Sequence, residues 1–268
     1  YADDTQLYCY FDLKSPSEAL NSIRSCISDI RTWMIHNKLK INDDKTEFLI
    51  ITSPRADVSH EINLTIGEEI IPPSSSCKSL GVTFDEHILM DSYIRNTCRA
   101  AHFHLRNIGS VRDLIPEKSA AQLVHSLVSS RIDYCNSLLY GVPEYKTDRL
   151  QRVQNIAARI VTRSNPDHIT PILKKLHWLR IRFRVRFKIL LLTYKCLNNL
   201  APEYLTNLVV PRCPERPKRT STQAKLKLPD TRLKSYGDRG FSYAAPKEWN
   251  ELPLSIKLAP TVSSFKSQ

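Results

Sequence analysis

Tyr1-Ala2-Asp3-Asp4 runs directly into Gln6-Leu7-Tyr8-Cys9-Tyr10-Phe11, and the reading of the fold turns on these residues. Neighbouring side chains of a strand point to opposite faces, so Asp3 and Asp4 can serve one site only from a turn that re-aims them. A tight hairpin leading into a strand over Gln6–Phe11 meets that need. Two carboxylates at such a turn suit Mg²⁺, a hard cation that takes few protein ligands and fills its shell with phosphate oxygens. Phosphoryl transfer is the chemistry this arrangement serves. The plainer alternative is an exposed acidic terminus.

Working outward, Ser15-Pro16-Ser17-Glu18 reads as a capping box with Ser15 at the N-cap and Pro16 at the first helical position. Leu20, Ile23, Ile27, Ile30 and Met34 then recur every three or four residues, one apolar stripe that predicts a helix lying on a sheet. Glu47–Ile51 reads as the next strand. Ile62–Ile66 and Ile70-Ile71 flank Gly67-Glu68-Glu69 as a hairpin. Lys78-Ser79-Leu80-Gly81-Val82-Thr83-Phe84-Asp85 reads as one strand, with Gly81 marking either a close backbone approach or a bulge.

Past His87 the pattern turns helical. A series through Ile88, Tyr93, Ile94, Leu105 and Ile108 ends at Gly109, a second spans Lys118–Tyr140 before Gly141-Val142-Pro143, and a third spans Thr147–Val161. In the next segment Arg180, Arg182, Arg184, Arg186 and Lys188 alternate with Ile181, Phe183, Val185, Phe187 and Ile189. Strict alternation suggests a strand. The continuing apolar run, with Phe183, Phe187, Leu190, Leu191 and Tyr194 on one helical face, decides for a helix with cationic flanks. His177 beside Trp178 reads as packed or capping. Residues 211–240 hold nine Lys+Arg against three acids, a composition that favours partial disorder in isolation.

The net charge of +12 is unevenly spread, with 10 Lys+Arg against 15 Asp+Glu in residues 1–100 and 29 against 12 in residues 101–268. An acidic front joined to a basic back fits a metal-carrying part beside a part that meets polyanion, although basic residues also simply solvate helices. The seven cysteines are scattered without a C-x-x-C pair, so no zinc site is expected, and reduced thiols imply an intracellular setting, cytoplasmic and nuclear. The apolar run Ile189–Leu192 is far short of the roughly 20 residues of a membrane span, and no membrane association is expected. No initiator Met is present and the chain opens inside an expected hairpin, so it reads as part of a longer protein.

Tyr1-Ala2-Asp3-Asp4 before a strand resembles the active-site box of reverse transcriptases. Asn37-Lys38-Leu39, Asn42-x-x-Lys45-Thr46-Glu47 and Leu80-Gly81-Val82-x-Phe84-Asp85 resemble the segments that follow it in LINE-type, non-LTR retrotransposons of jockey-like character. Ser129–Asn136, Leu150–Arg159 and the run from Gly237 to Pro253 resemble signatures of the same group, and the likeness covers nearly the whole chain. It implies an α+β fold: a partial polymerase palm with a short antiparallel sheet over residues 1–86, a helical thumb over 87–165, and a basic helical and mixed region over 166–268. It implies an RNA-directed DNA polymerase working by two-metal nucleotidyl transfer, with Asp3 and Asp4 binding two Mg²⁺ ions and Lys45 assisting pyrophosphate departure or merely standing in a solvated loop. Tyr1, Ala2, Leu80, Gly81 and Val82 would shape the primer end. RNA template, DNA primer and deoxynucleoside triphosphates are the implied partners, with a third aspartate, the fingers and commonly an endonuclease encoded upstream. Arg180, Arg182, Arg184, Arg186, Lys188, Arg216, Lys218 and Arg219 are the expected nucleic-acid contacts. A noncatalytic nucleic-acid-binding protein is the alternative.

Overall fold

The computed structural model describes residues 5–12, 15–56, 62–67, 69–164, 168–212 and 224–267. The architecture is mixed α+β, rich in helix, with two small antiparallel sheets. The chain divides into two compact units, residues 1–93 and 94–268. None of its described helices is long and apolar enough to cross a membrane.

In the first unit, helix α1 spans Ser17–His36, and the stripe Leu20, Ile23, Ile27, Ile30 and Met34 is its half-buried face. The expected capping box does not form. Pro16 is already helical and accepts Leu20 N–H at 3.0 Å, while Ser15 N–H bonds the Asp12 carbonyl instead. At the other end Lys38 takes a left-handed conformation (φ 60°), and Leu39 N–H reaches the Met34 carbonyl at 2.8 Å, which closes the last turn. Helix α1 packs on β1 (Leu64–Ile66), which pairs with β2 (Glu69–Ile71) in the register Ile66↔Glu69, and Gly67 supplies the positive φ of the turn.

The second sheet departs from the sequence reading. Instead of one strand over Lys78–Asp85, β3 (Ser76–Ser79) and β4 (Val82–Asp85) form a hairpin in which Ser79 pairs with Val82. Leu80 (φ 45°) and Gly81 (φ 81°) are its two turn residues, the left-handed pair that a two-residue hairpin loop requires. Gly81 is therefore neither a bulge nor a mid-strand position. Two further expected strands are absent. Glu47–Ile51 contributes an isolated bridge, Phe48 to Pro73, and Gln6–Phe11 is not a strand. A strand needs a neighbour for its backbone groups, and no described segment pairs with Gln6–Phe11. Among the described residues of this unit, Ile50, Ile62, Leu64, Ile66, Val82, Met90 and Tyr93 are the buried hydrophobic ones.

The second unit opens on α2 (Asp91–Ser110), whose Ile94, Cys98, Ala101, Leu105 and Ile108 recur on one buried face, with Gly109 inside its last turn. Helix α3 (Glu117–Val124) continues through a π-helical stretch at His125–Ser129 into α4 (Ser130–Asp133). The expected helix to Tyr140 ends here, because Tyr134 is extended and Cys135 is left-handed (φ 49°). Helix α5 (Glu144–Thr162) starts after Pro143, and buried Arg112 donates to the Ile160 and Val161 carbonyls at 2.9 and 2.6 Å, satisfying its last turn.

After α6 (Thr170–Lys175), the 17-residue α7 (Ile181–Leu197) runs through the middle of the unit. It contacts α5 and then, in chain order, α8 (Glu203–Thr206), α10 (Phe241–Glu251) and α12 (Val262–Ser267), with α9 (Lys234–Gly237) and α11 (Leu254–Lys257) as single turns between them. The helix reading of this segment holds, but its buried residues are Ile181, Val185, Ile189, Thr193, Tyr194 and Cys196; Tyr194 of the expected face is among them, while Phe183 is 39 % exposed. Tyr194 stacks on Phe265 at 4.5 Å and bonds the Ala259 carbonyl at 2.7 Å. Trp249 and Asn250 pin the returning chain through the Ala224 carbonyl (3.0 Å) and both backbone groups of Leu226 (2.8 and 3.0 Å).

Candidate nucleic-acid interface

Tyr1, Ala2, Asp3 and Asp4 lie outside the described residues, as do Arg216, Lys218 and Arg219. The segments around the other front-unit candidates converge. Gln6, two positions after Asp4, donates from Nε2 to Ser79 Oγ at 2.8 Å, immediately before the Leu80-Gly81 turn. Glu47, two positions after Lys45, accepts Lys78 N–H at 3.1 Å. The chain thus brings residues 6, 45–47 and 78–81 into one neighbourhood of the first unit. Lys45 closes a single 3-10 turn (Asp43–Lys45) and is exposed. Leu80 is 70 % exposed at the hairpin tip, whereas Val82 is 3 % exposed and offers a primer end nothing but backbone.

Asp85 has a separate task. Its Oδ1 accepts the His87 and Leu89 N–H groups at 3.2 and 2.7 Å, and its Oδ2 accepts Met90 N–H at 2.8 Å. A carboxylate engaged by three backbone donors holds a loop, and it is not free for a cation. Among the described residues no three His, Cys, Asp or Glu side chains are grouped to hold a metal ion. Asp3 and Asp4, the expected Mg²⁺ ligands, lie outside the described residues.

In the second unit the cations of α7 divide by their side of the helix. Arg184 Nη1 meets Asp133 Oδ2 at 2.5 Å and its Nε donates to the Leu179 carbonyl at 2.9 Å. Arg186 bridges Glu248 and Glu251 at 2.5 and 2.9 Å, and Glu248 also accepts the Tyr140 hydroxyl at 2.8 Å. Burial and that bond to Glu248 push the Tyr140 hydroxyl well above its ordinary range. Arg180 bonds Thr170 Oγ1 at 2.7 Å. Arg182 and Lys188 are exposed, with the Arg182 guanidinium 4.6 Å from the Phe183 ring centre. Arg184 and Arg186, expected as nucleic-acid contacts, are thus paired with acids of the fold.

Sequence reasoning gave no role to Asp133, Asn136, Gln151, Gln154 and Asn155, which proved to tie the unit together. Gln151 accepts Ile181 N–H at 3.0 Å, the first backbone donor of α7, and donates to Gln154 and Asn155 at 2.9 and 2.8 Å. Gln154, 4 % exposed, donates to the Leu179 carbonyl at 2.8 Å, and Asn136 donates to Asp133 at 3.3 Å. Residues from two runs that resemble retrotransposon signatures therefore cap α7 and fix its entry. A cavity of about 10 Å³ among Val128, Ile132, Gln154, Trp178 and Arg184 is no larger than one water needs. It is packing space within this network, not a substrate site. Compared with protein-family models, curated proteins and solved structures, the chain has no match.

Proposed function

We propose that this chain is the carboxyl-terminal part of an RNA-directed DNA polymerase of a LINE-type, non-LTR retrotransposon. The observation that supports the reading is that Gln6, which follows the Asp3-Asp4 box in sequence, bonds Ser79, and Glu47 of the second motif bonds Lys78, both beside the third motif. Asp3 and Asp4, with an upstream aspartate, would hold two Mg²⁺ ions, which in such sites supply charge for the attacking and leaving oxygens. Lys45, exposed beside the converging segments, offers a positive charge to the departing pyrophosphate. The Leu80-Gly81 turn would offer its backbone to a primer end. RNA template, DNA primer and deoxynucleoside triphosphates are the partners, met in cytoplasm and nucleus.

The test is template-directed primer extension by the full-length protein that carries this chain, with and without Mg²⁺. Asp3→Asn should abolish incorporation while leaving nucleic-acid binding in place; undiminished extension by that variant overturns the reading. The excess of 29 basic over 12 acidic residues after position 100 supports a second reading, a noncatalytic nucleic-acid-binding protein. Binding without metal-dependent extension by the parent protein would select it.

A further inference from the structure

On α2, Arg95, Arg99, His102 and Arg106 follow one another at spacings of four, three and four residues, and all four are exposed. At 3.6 residues per turn they fall within roughly 60° of arc, a row about 16 Å long beside the buried face of Ile94, Cys98, Ala101 and Leu105. Asp91, at the opening turn, is the single acid of the helix. None of the four has a carboxylate partner among the described residues.

Phe103 lies along this row, one turn from both Arg99 and Arg106, and is 58 % exposed. Its ring and that of His104 meet in a T-shaped arrangement with centroids 5.4 Å apart, and more than half of the Phe103 surface stays in solvent. A helix with six buried hydrophobic residues gains nothing in folding from a seventh held in water. A cationic track beside an open aromatic ring is the combination that follows a single-stranded backbone and stacks its bases. A duplex keeps its bases stacked on one another and would give Phe103 no partner.

We propose that α2 carries a docking face for single-stranded nucleic acid, with Arg95, Arg99, Arg106 and His102 tracking phosphates and Phe103 stacking on a base. Its residues are other than the arginines of α7, and it does not depend on polymerase activity. The measurement is fluorescence anisotropy of the full 268-residue chain with labelled oligouridylate and with a blunt RNA duplex, in chelator-containing buffer across salt concentrations. Oligouridylate should bind more tightly than the duplex. Replacing Arg95, Arg99 and Arg106 together by Gln should flatten the slope of log affinity against log salt by about two units, at about 0.7 per lost single-strand contact. Phe103→Ala should weaken binding roughly five- to hundred-fold with the slope unchanged, the mark of lost stacking. Tighter duplex binding, a parental slope in the triple variant, or parental affinity in Phe103→Ala would each overturn the proposal. Thermal melts of the variants separate lost contacts from lost fold, and Phe103→Ala removes no charge, so it reports even where the triple variant folds poorly.

Discussion

Helices α2 and α7 both carry rows of arginine within one unit, and they put them to opposite uses. In α7 the apolar residues wrap the axis, so the helix is packed on several sides and its arginines emerge where other elements already stand. Arg184 and Arg186 are drawn onto Asp133, Glu248 and Glu251. In α2 the buried apolar residues keep to one face, and the arginines on the neighbouring arc meet no acid among the described residues. The lesson is that density of positive charge in a sequence does not locate a polyanion site. A cation in the middle of a fold is claimed by carboxylates, because a desolvated charge without a partner is costly.

The comparison breaks most visibly in the core. Ile189→Ala, at 2 % exposure in the cluster with Tyr194 and Trp249, should cost about 2–5 kcal/mol in denaturant unfolding. A loss below 1 kcal/mol would mean that α7 is not the central packing element. Next comes the pairing of its cations. Arg186→Gln leaves Glu248, 6 % exposed, with a weakened partner set and should cost roughly 1–3 kcal/mol, the range of a charged hydrogen bond partly screened by solvent. Arg182→Gln, on the same helix but exposed, should stay within about 0.5 kcal/mol of the parent. Equal effects would erase the distinction between the paired and the free side of α7.

Tyr140 sharpens the same contrast through pH. Its hydroxyl titrates higher in the folded than in the unfolded chain, because burial and Glu248 both oppose the phenolate. Its contribution is therefore complete below the unfolded value near 10 and declines as pH rises above it. Tyr140→Phe should lose stability at neutral pH and show a shallower further decline between about pH 10 and 11. An identical alkaline profile for parent and variant would remove Tyr140 from the Arg186 cluster. The smallest effect belongs to α2, where Arg95→Gln, Arg99→Gln and Arg106→Gln should each leave the melting transition in place, with changes within about 0.5 kcal/mol. Destabilisation beyond that would show the row to be structural.

Much of the local structure could be read directly. The α1 stripe, the hairpin at Gly67 and the helical choice for α7 each rest on periodicity or turn chemistry within a few residues, and all three are present. The failures share a different cause. Gln6–Phe11 has strand composition but no described neighbour to pair with, and Ser15 had a better partner for its N–H in Asp12 than a capping role required. Leu80-Gly81 sits inside a segment whose composition is that of one strand, yet the pairing of Ser79 with Val82 makes both residues left-handed.

The candidate sites divide in the same way. The sequence by itself determined which residues carry charge, which faces of α1 and α2 are apolar, and the order of the motifs that resemble a polymerase. Only the tertiary structure decided which of the arginines are already spoken for, that Asp85 holds a loop, and that Gln151 and Gln154 cap the entry to α7. Periodicity is a property of neighbours along the chain and survives without a fold. Pairing joins side chains as far apart as Arg184 and Asp133 or Arg186 and Glu248, and no local pattern records which distant carboxylate packing will bring within reach.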